Sequence, residues 1–303
     1  MKQRLNLLGL LSIGVLGVSL FGLTSSVKAQ STLRLNYDTS SFENLQLTGR
    51  DIGVRVSYTH HSEMDEQDEN NLSYQLLYEG EEQEAVDTLA WTFAEFQLQD
   101  LDSDGTEEII VRNYSGGAHC CTNTTIHRWT GEAFASVETG YLDGIGPDIA
   151  DVNGDGYVEM AVPHQAFLYR FGSYAESFPP VMFFTYRDGE LVDTTRQFPE
   201  RIREQIETLQ SVFVRVREED DYVSNSLLAS YVAQHAVLNE DFDAAWQFML
   251  DNYDREATWG LQIYEDGEQV GTHPDFPTAL RAFLIEIGYL GENGLPISDR
   301  TSR

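Results

Sequence analysis

Two nine-residue stretches place oxygen-bearing side chains at alternate positions. They are Asp100-Leu101-Asp102-Ser103-Asp104-Gly105-Thr106-Glu107-Glu108 and Asp151-Val152-Asn153-Gly154-Asp155-Gly156-Tyr157-Val158-Glu159. Calcium takes roughly six to eight hard oxygen ligands, which a short turn supplies from alternate side chains and one backbone carbonyl. Read this way, the first loop offers Asp100, Asp102, Asp104, the Thr106 carbonyl and Glu108. The second offers Asp151, Asn153, Asp155, the Tyr157 carbonyl and Glu159, one formal charge fewer. Gly105 and Gly156 stand where the chain must turn sharply around an ion, a conformation that a residue without Cβ adopts freely. The pattern therefore predicts two Ca2+ sites. Two metal-free Asp/Gly turns are the alternative, since these are ordinary turn residues.

An EF-hand would carry its bidentate Glu at loop position 12 and run on into a helix. Here position 12 is Val111 or Val162, and the last acid falls at position 9. Each loop then enters an apolar run, Ile109-Ile110-Val111 or Met160-Ala161-Val162, of the kind that forms strands. In this respect residues 90 to 190 resemble FG-GAP and VCBS repeats, the integrin-α-like propeller repeats, whose blades carry Asp-x-Asp-x-Asp-Gly-x-x-Asp/Glu between two strands. The resemblance implies calcium at those five positions and a propeller-like β fold.

The elements that must hold these loops read as antiparallel β structure over residues 30–196. Short runs such as Ser73 to Tyr78, Phe93 to Leu98, Thr124 to Trp129 and Val181 to Tyr186 are separated by turn residues. Trp129-Thr130-Gly131-Glu132 and Arg187-Asp188-Gly189-Glu190 supply hairpin turns. The loops begin 51 residues apart, close to the period of a propeller blade. At roughly 50 residues per blade this region holds about three, short of the four to eight of closed propellers. The expected architecture is a divergent or incomplete propeller-like array of two or three sheets. From Pro199 the period becomes helical, with Ile202, Ile206 and Leu209, then Leu227 to Leu238 and Phe242 to Tyr253 around an Asn239-Glu240-Asp241 turn, then Phe276 to Gly288. Residues 197–303 accordingly read as an α-helical C-terminal region.

A second chemistry is available in Gly116-Gly117-Ala118-His119-Cys120-Cys121, which holds both cysteines of the chain. Three readings stand open: a Cys120–Cys121 disulfide stiffening the loop, a soft-metal or redox site using His119, the two cysteines and His127, or a disulfide to another chain. His60-His61 reads as a solvent-exposed pair, because neighbours on a strand point to opposite faces. Trp91, Trp129, Trp246 and Trp259 read as core residues. No Gly-x-Ser-x-Gly, His-Glu-x-x-His, phosphate-loop or dinucleotide pattern occurs.

Lys2 and Arg4, the apolar run Leu7 to Leu23 and Val27-Lys28-Ala29 have the layout of a secretory signal over residues 1–29, cleaved near Ala29. The 303-residue chain carries a formal charge of −31, which argues against nucleic acid and anionic membrane surfaces as partners. Acidic runs such as Glu79 to Glu84 read as solvated faces. The leading expectation is an exported, periplasmic or secreted, non-catalytic protein with structural calcium that presents a loop surface to an extracytoplasmic protein or glycan. The alternative is an extracytoplasmic enzyme or redox protein centred on His119, Cys120 and Cys121.

Overall fold

The computed structural model describes residues 31–65, 68–144, 146–219 and 223–297. The leader expected at residues 1–29 lies outside them. Following a short strand β1 (Thr32–Leu35), the chain lays down three antiparallel sheets in order. The first is the meander β2 (Phe42–Thr48), β3 (Ile52–Tyr58), β4 (Leu72–Tyr78) and β5 (Glu81–Thr88). The second contains β6 (Ala94–Gln99), β7 (Glu108–Tyr114), β8 (Cys120–Trp129), β9 (Phe134–Glu138) and β10 (Leu142–Asp143). Strand β1 returns to its β6 edge, pairing Thr32 with Gln97. The third is β11 (Asp148–Ala150), β12 (Glu159–Pro163), β13 (Val181–Arg187) and β14 (Glu190–Asp193).

Side-chain alternation along β7 shows why its Ile109-Ile110-Val111 run is apolar without a break. Ile109 and Val111 pack with Val54, Val56, Leu76 and Phe96 in the core shared with the first sheet. Ile110 points the other way, into a cluster with Ile126, Met160, Val162 and Tyr186 shared with the third sheet. The second sheet is thus buried on both faces, the condition that produces continuous rather than alternating hydrophobic runs. At the free edge of the stack, Glu81, Glu82 and Glu84 on β5 face solvent, a charged edge that resists pairing with other chains.

Turn chemistry sets the hairpins. Glu79-Gly80 between β4 and β5 and Asp188-Gly189 between β13 and β14 both take two successive positive φ angles, the type I′ geometry whose twist matches that of paired strands.

The helical region contains α1 (Pro199–Glu219), α2 (Asn225–Leu238), α3 (Phe242–Asn252) and α4 (Phe276–Glu286). Ser224 caps α2 and Asp275 caps α4 through its carboxylate on the Thr278 N–H, with Pro277 in the first turn. Helix α2 is buried nearly all round, and its Leu228, Val232 and Ala236 pack with α4 residues Leu280 and Phe283. The same core takes in Phe167 and Phe171 from the connection between β12 and β13, which ties the third sheet to the helices. One correction concerns the C-terminal part. It is not all α, because β15 (Gln262–Glu265) and β16 (Glu268–Thr272) form a hairpin between α3 and α4. Asp266-Gly267 is its two-residue turn, both φ positive, a short-range signal that the helical period around it masked.

Replacing Ile110 with Ala removes buried volume from the seam between the second and third sheets. Chemical denaturation is expected to show a loss of about 2–5 kcal/mol with an unchanged denaturant slope.

Candidate functional site

Both acidic loops connect the first strand of a sheet to the next, β6 to β7 and β11 to β12, and fold by one hydrogen-bonding scheme. The Asp at position 1 accepts the N–H of position 6: Gly105 to Asp100 at 3.0 Å and Gly156 to Asp151 at 3.0 Å. Position 3 accepts from position 5: Asp104 N–H to Asp102 at 3.3 Å and Asp155 N–H to Asn153 at 2.9 Å. Position 5 accepts from position 7: Thr106 N–H to Asp104 at 2.7 Å and Tyr157 N–H to Asp155 at 2.9 Å. Finally, the Glu at position 9 accepts from position 2: Leu101 N–H to Glu108 at 2.9 Å and Val152 N–H to Glu159 at 3.0 Å. Backbone donors thus turn the side chains at these positions toward the loop's own backbone. Gly105 and Gly156 hold φ of 88° and 94°, in the region that favours glycine.

In the first loop this scheme leaves acceptors over. Glu108 is fully buried, yet its Oε1 has no hydrogen-bond partner, and neither does the buried Oδ1 of Asp100. One oxygen from each of Asp100, Asp102 and Glu108 lies within 4.8 Å of the others, a spacing that a shared cation could fill. Burial first, and then the charges of Asp102, Asp104 and Asp100, push the Glu108 carboxyl up to about 8, although the Leu101 N–H pulls the other way. Asp102 is also raised, chiefly by burial and next by Asp104. An uncompensated buried carboxylate is costly and answers either by taking a proton or by pairing with a cation.

The second loop is wetter and better satisfied. Asp155 is exposed and its carboxyl is lowered, first by the Tyr157 N–H and then by the Asn153 amide. Glu159 is buried and raised by that burial, but its Oε1 accepts from the Thr185 hydroxyl at 3.3 Å.

The loops touch. Val158 N–H donates to the Leu101 carbonyl at 2.9 Å, and the Ser103 hydroxyl donates to the Gly156 carbonyl. From the opposite side Arg50, in the β2–β3 turn, donates its guanidinium to the Gly105 carbonyl at 3.0 Å, and its N–H to Glu107 at 2.9 Å. Arg128 lies 3.8 Å from Asp104, and Arg187 sits over the Tyr157 ring. Sequence spacing did not identify these neighbours: Arg50 arrives from the first sheet, while Arg128 and Arg187 come from later strands of the loops' own sheets.

Cys120 and Cys121 are joined by a disulfide, so the first of the three readings of that loop is the one observed. Gly117 packs against the Cys120 carbonyl so closely that a Cβ there would collide with it. His127 stands apart from the cysteine chemistry. It is buried, with Nδ1 on the Ser136 hydroxyl at 2.7 Å and Nε2 on the Tyr74 hydroxyl at 3.1 Å, and burial lowers it to about 4. His60 and His61 do not lie on a strand facing opposite ways: His60 caps a short 3-10 turn, and the two rings are 4.0 Å apart. Trp129 stacks on Tyr78 and Trp246 packs against the helical core, whereas Trp91 and Trp259 are about half exposed.

Residues 202–288 match the family model described as the sll0997 C-terminal domain. Over 206 residues the chain is 34% identical to the probable thylakoid lumen protein sll0997 of Synechocystis sp., covering 64% of this chain and 60% of that protein. It is 33% identical over 206 residues to the uncharacterized protein y4bJ of Sinorhizobium fredii, covering 65% of this chain and 32% of that one. The matched stretch is therefore less than two thirds of either relative. No solved structure matches the chain.

The sign of the His127 effect is fixed by its lowered value. Unfolded chain binds a proton near pH 6.5 and folded protein only near 4, so stability is lost as pH falls through this window. A His127→Gln variant is expected to lose that component of the pH dependence, read as the difference between its melting temperatures and those of the unsubstituted protein from about pH 7 to about pH 4.

Proposed function

We propose that this chain is an exported calcium-binding protein whose stacked sheets form a divergent propeller-like array. In this reading calcium is structural, and the array presents a surface to an extracytoplasmic protein or glycan. The observation that carries the calcium reading is the buried, unpartnered Glu108 Oε1 beside Asp100 and Asp102. A hard dication supplies the charge and the ligand contact that this oxygen lacks. Asp100, Asp102, Asp104, Glu108 and the Thr106 carbonyl would hold one ion; Asp151, Asn153, Asp155, Glu159 and the Tyr157 carbonyl would hold a second. The resemblance to FG-GAP and VCBS loops supports the same assignment. Three antiparallel sheets in chain order, two carrying the same loop between the same strands, support the blade-like reading. Export is supported by the leader pattern and by the lumen named for the Synechocystis relative.

Calcium titration calorimetry and thermal melting test this. Expected are two equivalents bound and a rise in melting temperature worth about 2.7 kcal/mol per site at roughly 100 times the Kd. Glu108→Gln is expected to weaken the first site by about tenfold or more while the second persists. Because a proton competes for Glu108, affinity at the first site is expected to rise between about pH 6 and about pH 8, with proton release on binding. Absence of both calcium heat and a calcium-dependent melting shift would sink the proposal.

A further inference from the structure

Between the β12–β13 connection and the segment running from Glu256 into β15 lies an open groove of about 680 Å³ whose lining combines exposed aromatic rings with planar polar side chains. Its rings are Tyr169, Trp259 and Tyr264, exposed to 45%, 50% and 60%. Its polar groups include Arg170, Glu256 and Gln262. The rings belong to two parts of the chain. Tyr169 comes from the β12–β13 connection, while Trp259 and Tyr264 come from β15 and the segment leading into it.

These rings are held rather than loose. The Trp259 indole N–H donates to the Tyr169 carbonyl at 2.6 Å, which fixes the edge of the indole. Among the described residues no other ring packs on Trp259 or Tyr264. Tyr169 is held at φ 59°, its N–H on the Ser177 hydroxyl at 3.0 Å. Its ring lies 5.4 Å from Tyr174, which stacks on His119 at 4.0 Å, so an aromatic row runs from the disulfide loop to the groove. The Arg170 guanidinium is clamped over Phe171 and Phe283, and its buried Nε has no hydrogen-bond partner.

We infer that this groove binds a neutral oligosaccharide. A pyranose ring offers an apolar C–H face to an aromatic plate and hydroxyls at its rim to planar polar side chains, the two features this lining provides. The groove lining carries one cation, Arg170, and one carboxylate, Glu256, within a chain of net charge −31, and Glu286 also acts on Arg170. Local balance of that kind suits an uncharged ligand, while the surrounding field repels polyanions. A protein partner would favour a closed apolar pocket for an anchoring side chain, and this groove is open and mixes polar groups with its rings. The inference rests on the binding-module reading and names its ligand class, without using either acidic loop.

Calcium-loaded protein is titrated with maltoheptaose, cellohexaose and laminarihexaose, followed by calorimetry and tryptophan fluorescence. Expected is saturable binding to at least one of them with Kd on the order of 0.1 mM. Trp259→Ala and Tyr264→Ala should each weaken it by about tenfold or more. Trp91→Ala, which removes the other half-exposed tryptophan, should leave it unchanged. Melting temperatures of all three variants should stay close to that of the parent, because each ring is at least nearly half exposed. The inference is overturned if no oligosaccharide binds at millimolar concentration, if binding survives both groove substitutions, or if only a proline-rich control peptide binds. Calcium binding by the same preparation separates failure of the groove from failure of the module reading.

Discussion

Burial of the second sheet on both faces is the constraint on which the remaining structure depends. Both faces of this sheet carry apolar side chains that must be covered, so it needs a neighbour on each side. The first sheet supplies Val54, Val56 and Leu76 to one face, and the third supplies Met160, Val162 and Tyr186 to the other. Each acidic loop then emerges at the end of this stack, where two sheets meet. Leu101, between two loop acids, is itself fully buried in the second seam, and its carbonyl receives the Val158 N–H of the other loop. The loops are therefore part of the packing between sheets rather than appendages to it.

That placement explains the electrostatics. Glu108 begins β7 and so enters the interior with the strand, carrying its carboxyl into a site where burial outweighs the single backbone donor it receives. Glu159 occupies the same place in the third sheet but meets the Thr185 hydroxyl from β13. Two copies of one motif thus differ in how completely the protein satisfies them. The difference comes from the strand beside each loop and from the loop itself, where Asn153 takes the place of the charged Asp102.

Much of this was legible in the sequence. Spacing of acids around Gly105 and Gly156 gave the loop geometry, and Asp-Gly and Trp-Thr-Gly-Glu segments gave hairpin positions. The Asn239-Glu240-Asp241 break and the apolar period beginning at Phe276 gave helix ends, while the Asp275 cap emerged only from the structure. What spacing could not supply was anything arriving from a distant element. The Arg50 contact to Gly105, the Ser136 and Tyr74 partners of His127 and the half-exposed setting of Trp259 all depend on tertiary placement. The β15–β16 hairpin was hidden for another reason: strands of four and five residues give too little alternation to compete with the helical periods on either side. His60 and His61 lie past the end of β3, at the start of a 3-10 turn, so strand alternation does not govern where their rings face.

Pairing of β1 with β6 has a consequence for cooperativity. The entire first sheet is nested between these two partners, since Thr32 faces Gln97 across the ladder. Although it comes early in the chain, that sheet is topologically an insertion, clasped by the edge of its neighbour. Closing such a long span costs little more than closing one half as long, because loop entropy grows only logarithmically with length. Leu33 and Leu35 on β1 lie in the core that the first two sheets share, so opening the clasp exposes both sheets together. Local opening from that end, as read by hydrogen exchange, would then involve a unit of two sheets rather than one.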